Sequence, residues 1–224
     1  MYIELIAVVV ALLSFGDESF AQTQYNLKVV EDVTLERGSK NFNYLEYLIV
    51  GLHPDYPKKR SLLRFENLPN GSSSHTDAEA PFIARTIQAH RVLKSWKETQ
   101  ATSTKRDSSK YWSTQWLGLD NTDAKSISTG VTTIYPGQPK GFVGIGVTSA
   151  VKDWKAGYPN YGLVIWATNE NIVGRDTRFA SKSESDSSKH PYIVVSCFGS
   201  TGGGGGGGGN TDAPTLPTDD FHSF

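Results

Sequence analysis

Apolar and polar positions alternate in short runs along much of the chain. In Ser61-Leu-Leu-Arg-Phe-Glu-Asn67, Leu63 and Phe65 fall on one side of a period of two, and Leu62, Arg64 and Glu66 fall on the other. That is the spacing of an extended strand. Similar runs occur at 46–51 (EYLIVG), 82–93 (FIARTIQAHRVL), 142–148 (FVGIGVT), 161–168 (YGLVIWAT) and 192–198 (YIVVSCF). Between them lie HPDYPKK, NLPNGSSSH, LDNTDAKS, YPGQPKG and SKSESDSSKHP, which carry the Pro, Gly, Asn, Asp and Ser of turns and loops. One segment breaks the pattern. Val147, Val151 and Trp154 make a single stripe at helical spacing, which predicts a short helix over about 147–157. Thr148 or Ser149 is placed to cap its N-terminus. A stripe on so short a helix suits a plug that closes the open end of a sandwich. The fold class expected is all-β, a sandwich of jelly-roll type with one short helix.

The two ends of the chain read differently from its middle. MYIELIAVVVALLSFGDESFAQ holds an apolar stretch from Ile3 to Phe15 and a small-x-small site at Ser19-Phe20-Ala21. This predicts a secretory signal peptide over 1–21, cleaved between Ala21 and Gln22, although Glu4 stands where a basic residue is usual. An apolar run of about 13 residues falls short of the ~20 that span a bilayer, so no membrane anchor is expected. At the other end, eight consecutive glycines run from Gly202 to Gly209 and lead into NTDAPTLPTDDFHSF. Glycines cannot recover their backbone entropy by packing side chains. Residues 199–224 therefore read as a disordered linker and polar tail, and 22–198 as the sandwich domain.

Charge narrows the partners. The chain has 22 basic and 23 acidic residues, and removing the signal leaves 22 against 20. So small an excess makes no case for nucleic acid or an anionic membrane as partner. Cys197 is the only cysteine, so no intrachain disulfide forms, and its place in the strand pattern of IVVSCF suits a buried apolar residue. Asn70-Gly71-Ser72 is an acceptor for N-glycosylation in a loop, which would make the secreted chain a glycoprotein.

Five stretches taken in order carry a family resemblance. They are EDVTLERGSKNFNYLEYLIVG, RSLLRFENLP, AHRVLKSWKETQATS, VTSAVKDWKAGYPNYGLVIWA and FASKSESDSSKHPYIVV. Together, over roughly 30–196, they resemble a DNRLRE-type domain, a family of secreted β-sandwiches that includes alginate-binding carbohydrate-binding modules. The chain departs from the family at Ala101-Thr102-Ser103, where an Ala-Thr-Trp is usual. The resemblance implies a jelly-roll sandwich and a non-catalytic role.

Motifs for catalysis are weak. No Gly-x-Ser-x-Gly elbow is present, the five histidines lack zinc spacing, and no cofactor is expected. Glu98, Asp107, Asp153, Glu170 and Asp176 give no sign of the facing pair that glycoside hydrolysis needs. Asp120 and Asp123, in an oxygen-rich turn, are weak calcium candidates without the twelve-residue loop pattern. The better candidates face a ligand. Lys110, Tyr111, Trp112 and Trp116 crowd into one polar stretch, and aromatic faces stack on the C–H faces of sugar rings. Burial against the sandwich is the competing fate of Trp112 and Trp116. Lys105, Arg106 and Lys110 would suit an anionic polysaccharide, and Tyr158 and Tyr161 are further aromatic candidates. The expected protein is a non-catalytic, secreted extracellular-matrix module whose partners are polysaccharide or matrix proteins. The alternative is a structural protein of an organic matrix, mineralised or not, with a polysaccharide-active enzyme third.

Overall fold

The computed structural model describes residues 4–5, 20–53, 56–67, 73–77, 84–168, 170 and 177–200. In chain order the elements are β1 (Glu4–Leu5), β2 (Phe20–Leu35), β3 (Tyr47–His53), β4 (Tyr56–Phe65), β5 (Ser73–Asp77), β6 (Arg85–Arg91), β7 (Gly130–Ile134), β8 (Gly141–Val143), α1 (Thr148–Lys155), β9 (Leu163–Ala167), β10 (Thr177–Ala180), a 3-10 turn (Ser187–Lys189) and β11 (Tyr192–Ser200). The strands form a curled, mainly antiparallel sheet in the order β1-β8-β5-β11-β2-β4-β9-β6-β7, and β3 joins β4 to β10. The fold is all-β and sandwich-like, as the alternation predicts. Among the described residues, no helix is long and apolar enough to cross a membrane.

Strand β2 organises the sheet because it changes partner along its length. Residues 20–28 pair with β11, and Val29 to Leu35 pair with β4. The register slips between Val29 and Glu31, which leaves Val30 as the extra residue of a bulge. One inserted residue reverses which face each later side chain meets. Leu27 and Val29 accordingly point into the main core, whereas Val33 and Leu35, at positions of the same parity, point into a second cluster. The same reversal buries Asp32 on the main-core side, opposite Leu63.

The main core lies inside the curled sheet, with Phe65, Ile87, Ile165, Phe179 and Ile193 among its members. The second cluster lies on the outer face of β2, β4 and β9, where the long 93–125 segment packs Trp96, Trp112, Leu117 and Ala124 over Leu62 and Val164. Coverage on both sides explains why Leu62 and Leu63 are both buried in a strand of period two.

Helix α1 is the plug expected. Val147, Ala150, Val151 and Trp154 are buried in the main core. Its N-cap is Val147 with no side-chain hydrogen bond, so neither Thr148 nor Ser149 has the capping role. Lys152 and Lys155 in the last turn favour the negative end of the helix dipole. The chain then turns back through Gly162 at φ +82°, where a Cβ would collide with the Leu63 carbonyl oxygen. Only glycine fits both demands.

Several sequence boundaries move. Strands β2, β7 and β10 lie where no strand was expected. Ser73 to His75, expected as loop, belong to β5, and Tyr56 to Lys59, also expected as loop, belong to β4. Strand β11 continues through Gly199 and Ser200, two residues past the expected domain edge. Ala21 and Gln22 lie within β2, opposite Gly199 and Phe198. Asn70, Asp176, most of 1–19 and all of 201–224 lie outside the described residues. Cys197 is placed by register opposite Thr23.

Candidate functional site on the outer sheet face

The 93–125 segment covers only part of the outer sheet face. Its covering edge is formed by Trp116 and Leu117, both in the left-handed region at φ +66° and +68°. Such backbone persists where its surroundings fix it. Here Arg60 fixes it: one guanidinium nitrogen donates to the Trp116 carbonyl (3.1 Å) and to the Leu117 carbonyl (2.9 Å). The other guanidinium N–H groups reach Glu170, Nε to one carboxylate oxygen at 3.0 Å and the second terminal nitrogen to the other at 2.7 Å. This is the fork geometry in which Arg and a carboxylate pair most strongly. Lys58 shares Glu170 at 3.1 Å and sits 4.8 Å above the Trp116 ring, whose Nε1 donates to the Lys58 carbonyl at 3.1 Å.

Beyond that edge, Val131 and Thr168 are exposed and Trp166 is half-buried on the same face. Strand register places Trp166 opposite Gln88, and Gln88 opposite Val131, on three adjacent strands. The Arg60 guanidinium lies 4.9 Å from the Trp166 ring centroid, so it stacks on that indole as well. The Trp166 Nε1–H donates to His90 Nε2 at 3.0 Å, while His90 Nδ1 lies 2.8 Å from the Lys125 carbonyl. The indole N–H donates to Nε2 and the Lys125 carbonyl faces Nδ1, while Gln88 Oε1 also lies 3.1 Å from Nε2. Burial, with the nearby Arg60 charge, lowers the His90 pKa, against the Lys125 hydrogen bond, which raises it. The orientation of Trp166 is thus fixed by His90, on the neighbouring strand of the same face, and by Arg60.

The residues singled out in the sequence do not assemble into one site. Trp112 is 5 % exposed, and its Nε1 donates to the Thr102 carbonyl at 3.0 Å, so it is a packing residue and not a ligand contact. Trp116 is half-buried against the second cluster, as is Tyr161, whose carbonyl accepts from Trp96 Nε1 at 2.8 Å. Tyr111 and Tyr158 are exposed, the first under Lys105 at 5.2 Å and the second under Arg91 at 5.2 Å. Lys110 lies 3.8 Å from Asp107, and Arg106 donates to Ser95, so these cations are engaged within their own loop. Asp107 organises that loop by accepting from Ser109 and Lys110, which lowers its pKa.

The calcium candidates separate as well. Asp123 is buried, and one of its oxygens accepts from the Ser113 and Gly118 backbone N–H groups and the Ser113 hydroxyl. It is an anchor for the loop. Asp120 is exposed and accepts from the Thr122 N–H. Among the described residues, no group of three or more His, Cys, Asp or Glu converges to hold a metal.

The candidate carboxylates also have partners. Glu98 pairs with Lys182 at 3.0 Å, and Asp153 with the buried Arg91 at 2.8 Å. Asp32, beside Glu98, is 1 % exposed and sealed from any substrate. Sequence reasoning missed Lys58, Arg60, Gln88, His90 and Trp166. The readable signal was Trp166 at an outward position of an otherwise apolar strand. No family model and no curated protein matches this chain.

Proposed function

We propose that the protein is a non-catalytic module of the extracellular matrix, a jelly-roll sandwich of DNRLRE type, that binds polysaccharide on the open outer face of β9, β6 and β7. One observation carries this reading: Trp166 lies half-buried on the outer sheet face, beside the exposed Val131 and Thr168 side of that face, with its orientation held by His90 and Arg60. A fixed indole stacks on a sugar ring without first losing rotamer freedom, and that saving appears as affinity. An open face, in contrast to a closed cleft, suits a polymer that runs through without ends.

The test is affinity electrophoresis of the full chain through gels containing soluble polysaccharides, with Trp166→Ala as the variant. Retardation of the parent, lost by about tenfold or more in the variant while the far-ultraviolet spectrum stays unchanged, is the expected result. Equal retardation of both proteins removes the face as the site. No retardation on any polysaccharide removes the binding reading and leaves a structural matrix protein.

A further inference from the structure

Among the described residues, the outward side chains of this face carry no formal charge. Its outward side chains are Thr86 and Gln88 on β6, Val131 and Thr133 on β7, and Trp166 and Thr168 on and just after β9. Cross-strand contacts confirm the shared face, since the Thr86 and Thr133 hydroxyls lie 3.1 Å apart and the Thr168 hydroxyl donates to the Thr86 carbonyl. The inward neighbours Ile87, Ala89, Ile134, Ile165 and Ala167 fill the main core. On the same face, opposite Val164, His90 contacts the Lys125 carbonyl through Nδ1 and both Trp166 Nε1 and Gln88 Oε1 through Nε2. At the border of the face the cations Lys58 and Arg60 both pair with Glu170, and two further Arg60 N–H groups go to the Trp116 and Leu117 carbonyls. One residue in five of this chain is charged, so a three-strand patch whose described outward side chains carry no charge is a distinct surface.

We infer that this face takes an uncharged polysaccharide, not a uronate or sulfated one. The inference rests on the face being the binding surface. An anionic chain laid there would lose hydration from its carboxylates and meet no cation among the described outward side chains of β6, β7 and β9 in return. A neutral sugar places its C–H face on Trp166 and its hydroxyls against the Gln88 amide N–H groups, whose oxygen lies at His90 Nε2, and against the threonine hydroxyls. Trp166, Gln88 and Val131 span three strands, about 10 Å. That is the length of two pyranose rings. Val131 is 51 % exposed and offers an apolar end to the same row.

The experiment compares the full chain and its Trp166→Ala and Gln88→Ala variants on neutral β-glucan, xylan and chitin oligomers and on alginate and polygalacturonate, at low and high salt. The expected result is binding to a neutral polymer that changes less than about twofold with salt, because no ion pair is screened. Trp166→Ala should lose that binding about tenfold or more and Gln88→Ala severalfold, with melting temperature within a few degrees of the parent. Binding confined to the uronate polymers, weakening steeply with salt and lost in Trp166→Ala, overturns the neutral assignment and keeps the face. Binding of either class that survives Trp166→Ala overturns the face itself.

Discussion

Replacing Asp32 by Asn should stabilise the protein at neutral pH, because the bulge at Val30 turns a carboxylate into the core. Burial is the main cause that raises the Asp32 pKa from 3.8 to about 6, and repulsion from Glu98 adds to it. The Lys182 N–H, donated to Asp32 at 2.6 Å, and the Lys182 charge act in the opposite direction and do not win. The folded-state value lies above the unfolded one. The stability that Asp32 contributes is therefore fully present below about 3.8 and is lost as pH rises through about 6. At ~1.36 kcal/mol for each pH unit between those values, the loss is about 3 kcal/mol. Asn keeps the acceptor for Lys182 and never ionises, so it avoids that loss. For a chain of this length, about 3 kcal/mol corresponds to a rise of roughly 6–12 °C in melting temperature. Thermal denaturation of both proteins at pH 8 and pH 4 reads the effect directly. The variant should lead at pH 8, and the gap should close at pH 4. A gap that is absent at pH 8, or that stays constant down to pH 4, refutes the argument that a charged Asp32 is the cost.

Two further substitutions test the packing assignments. Trp112→Ala should cost about 3–5 kcal/mol, read as a lower urea midpoint, while polysaccharide binding by the folded fraction is unchanged; unaltered stability with weakened binding would return Trp112 to the ligand candidates. Gly162→Ala should cost more than about 2 kcal/mol, because it adds left-handed strain to a collision with Leu63 that only a backbone shift relieves. A crystal structure of that variant with the 161–163 turn unmoved and full stability retained would contradict the reading.

The parts legible in the sequence are those where the local pattern and the fold agree. The alternation in β4, the helical stripe of α1 and the apolar run of β9 each point to their element by residue spacing alone. Strand β2 is not legible in this way. Its bulge breaks the period of two at Val30, and Asp32 sits where the pattern asks for an apolar residue. Strands β5 and β7 are short and rich in hydroxyl side chains and β10 is only four residues long, so they are strands by virtue of their neighbours and not by propensity. The open face escapes for a related reason. Arg60 and Glu170 meet across 110 residues, and Trp166 and His90 across 76. Only the pairing of β4, β9 and β6 brings them together. The aromatic cluster at 111–116 draws attention because it is contiguous, yet the fold divides it, sending Trp112 inward and leaving Tyr111 outside.

The placement of β11 between β2 and β5 sets a hazard for incomplete chains. Phe20 pairs with Ser200, so the first nine residues of β2 wait for the last strand to be synthesised. Until then, the edge of β2 that β11 will cover and the facing edge of β5 stay unpaired, and open edges recruit strands from other molecules. A product truncated before Tyr192 would present both at once. Fragments of this protein that stop short of β11 should accumulate as aggregates, whereas fragments trimmed from the far side, beyond Ser200, should stay in solution.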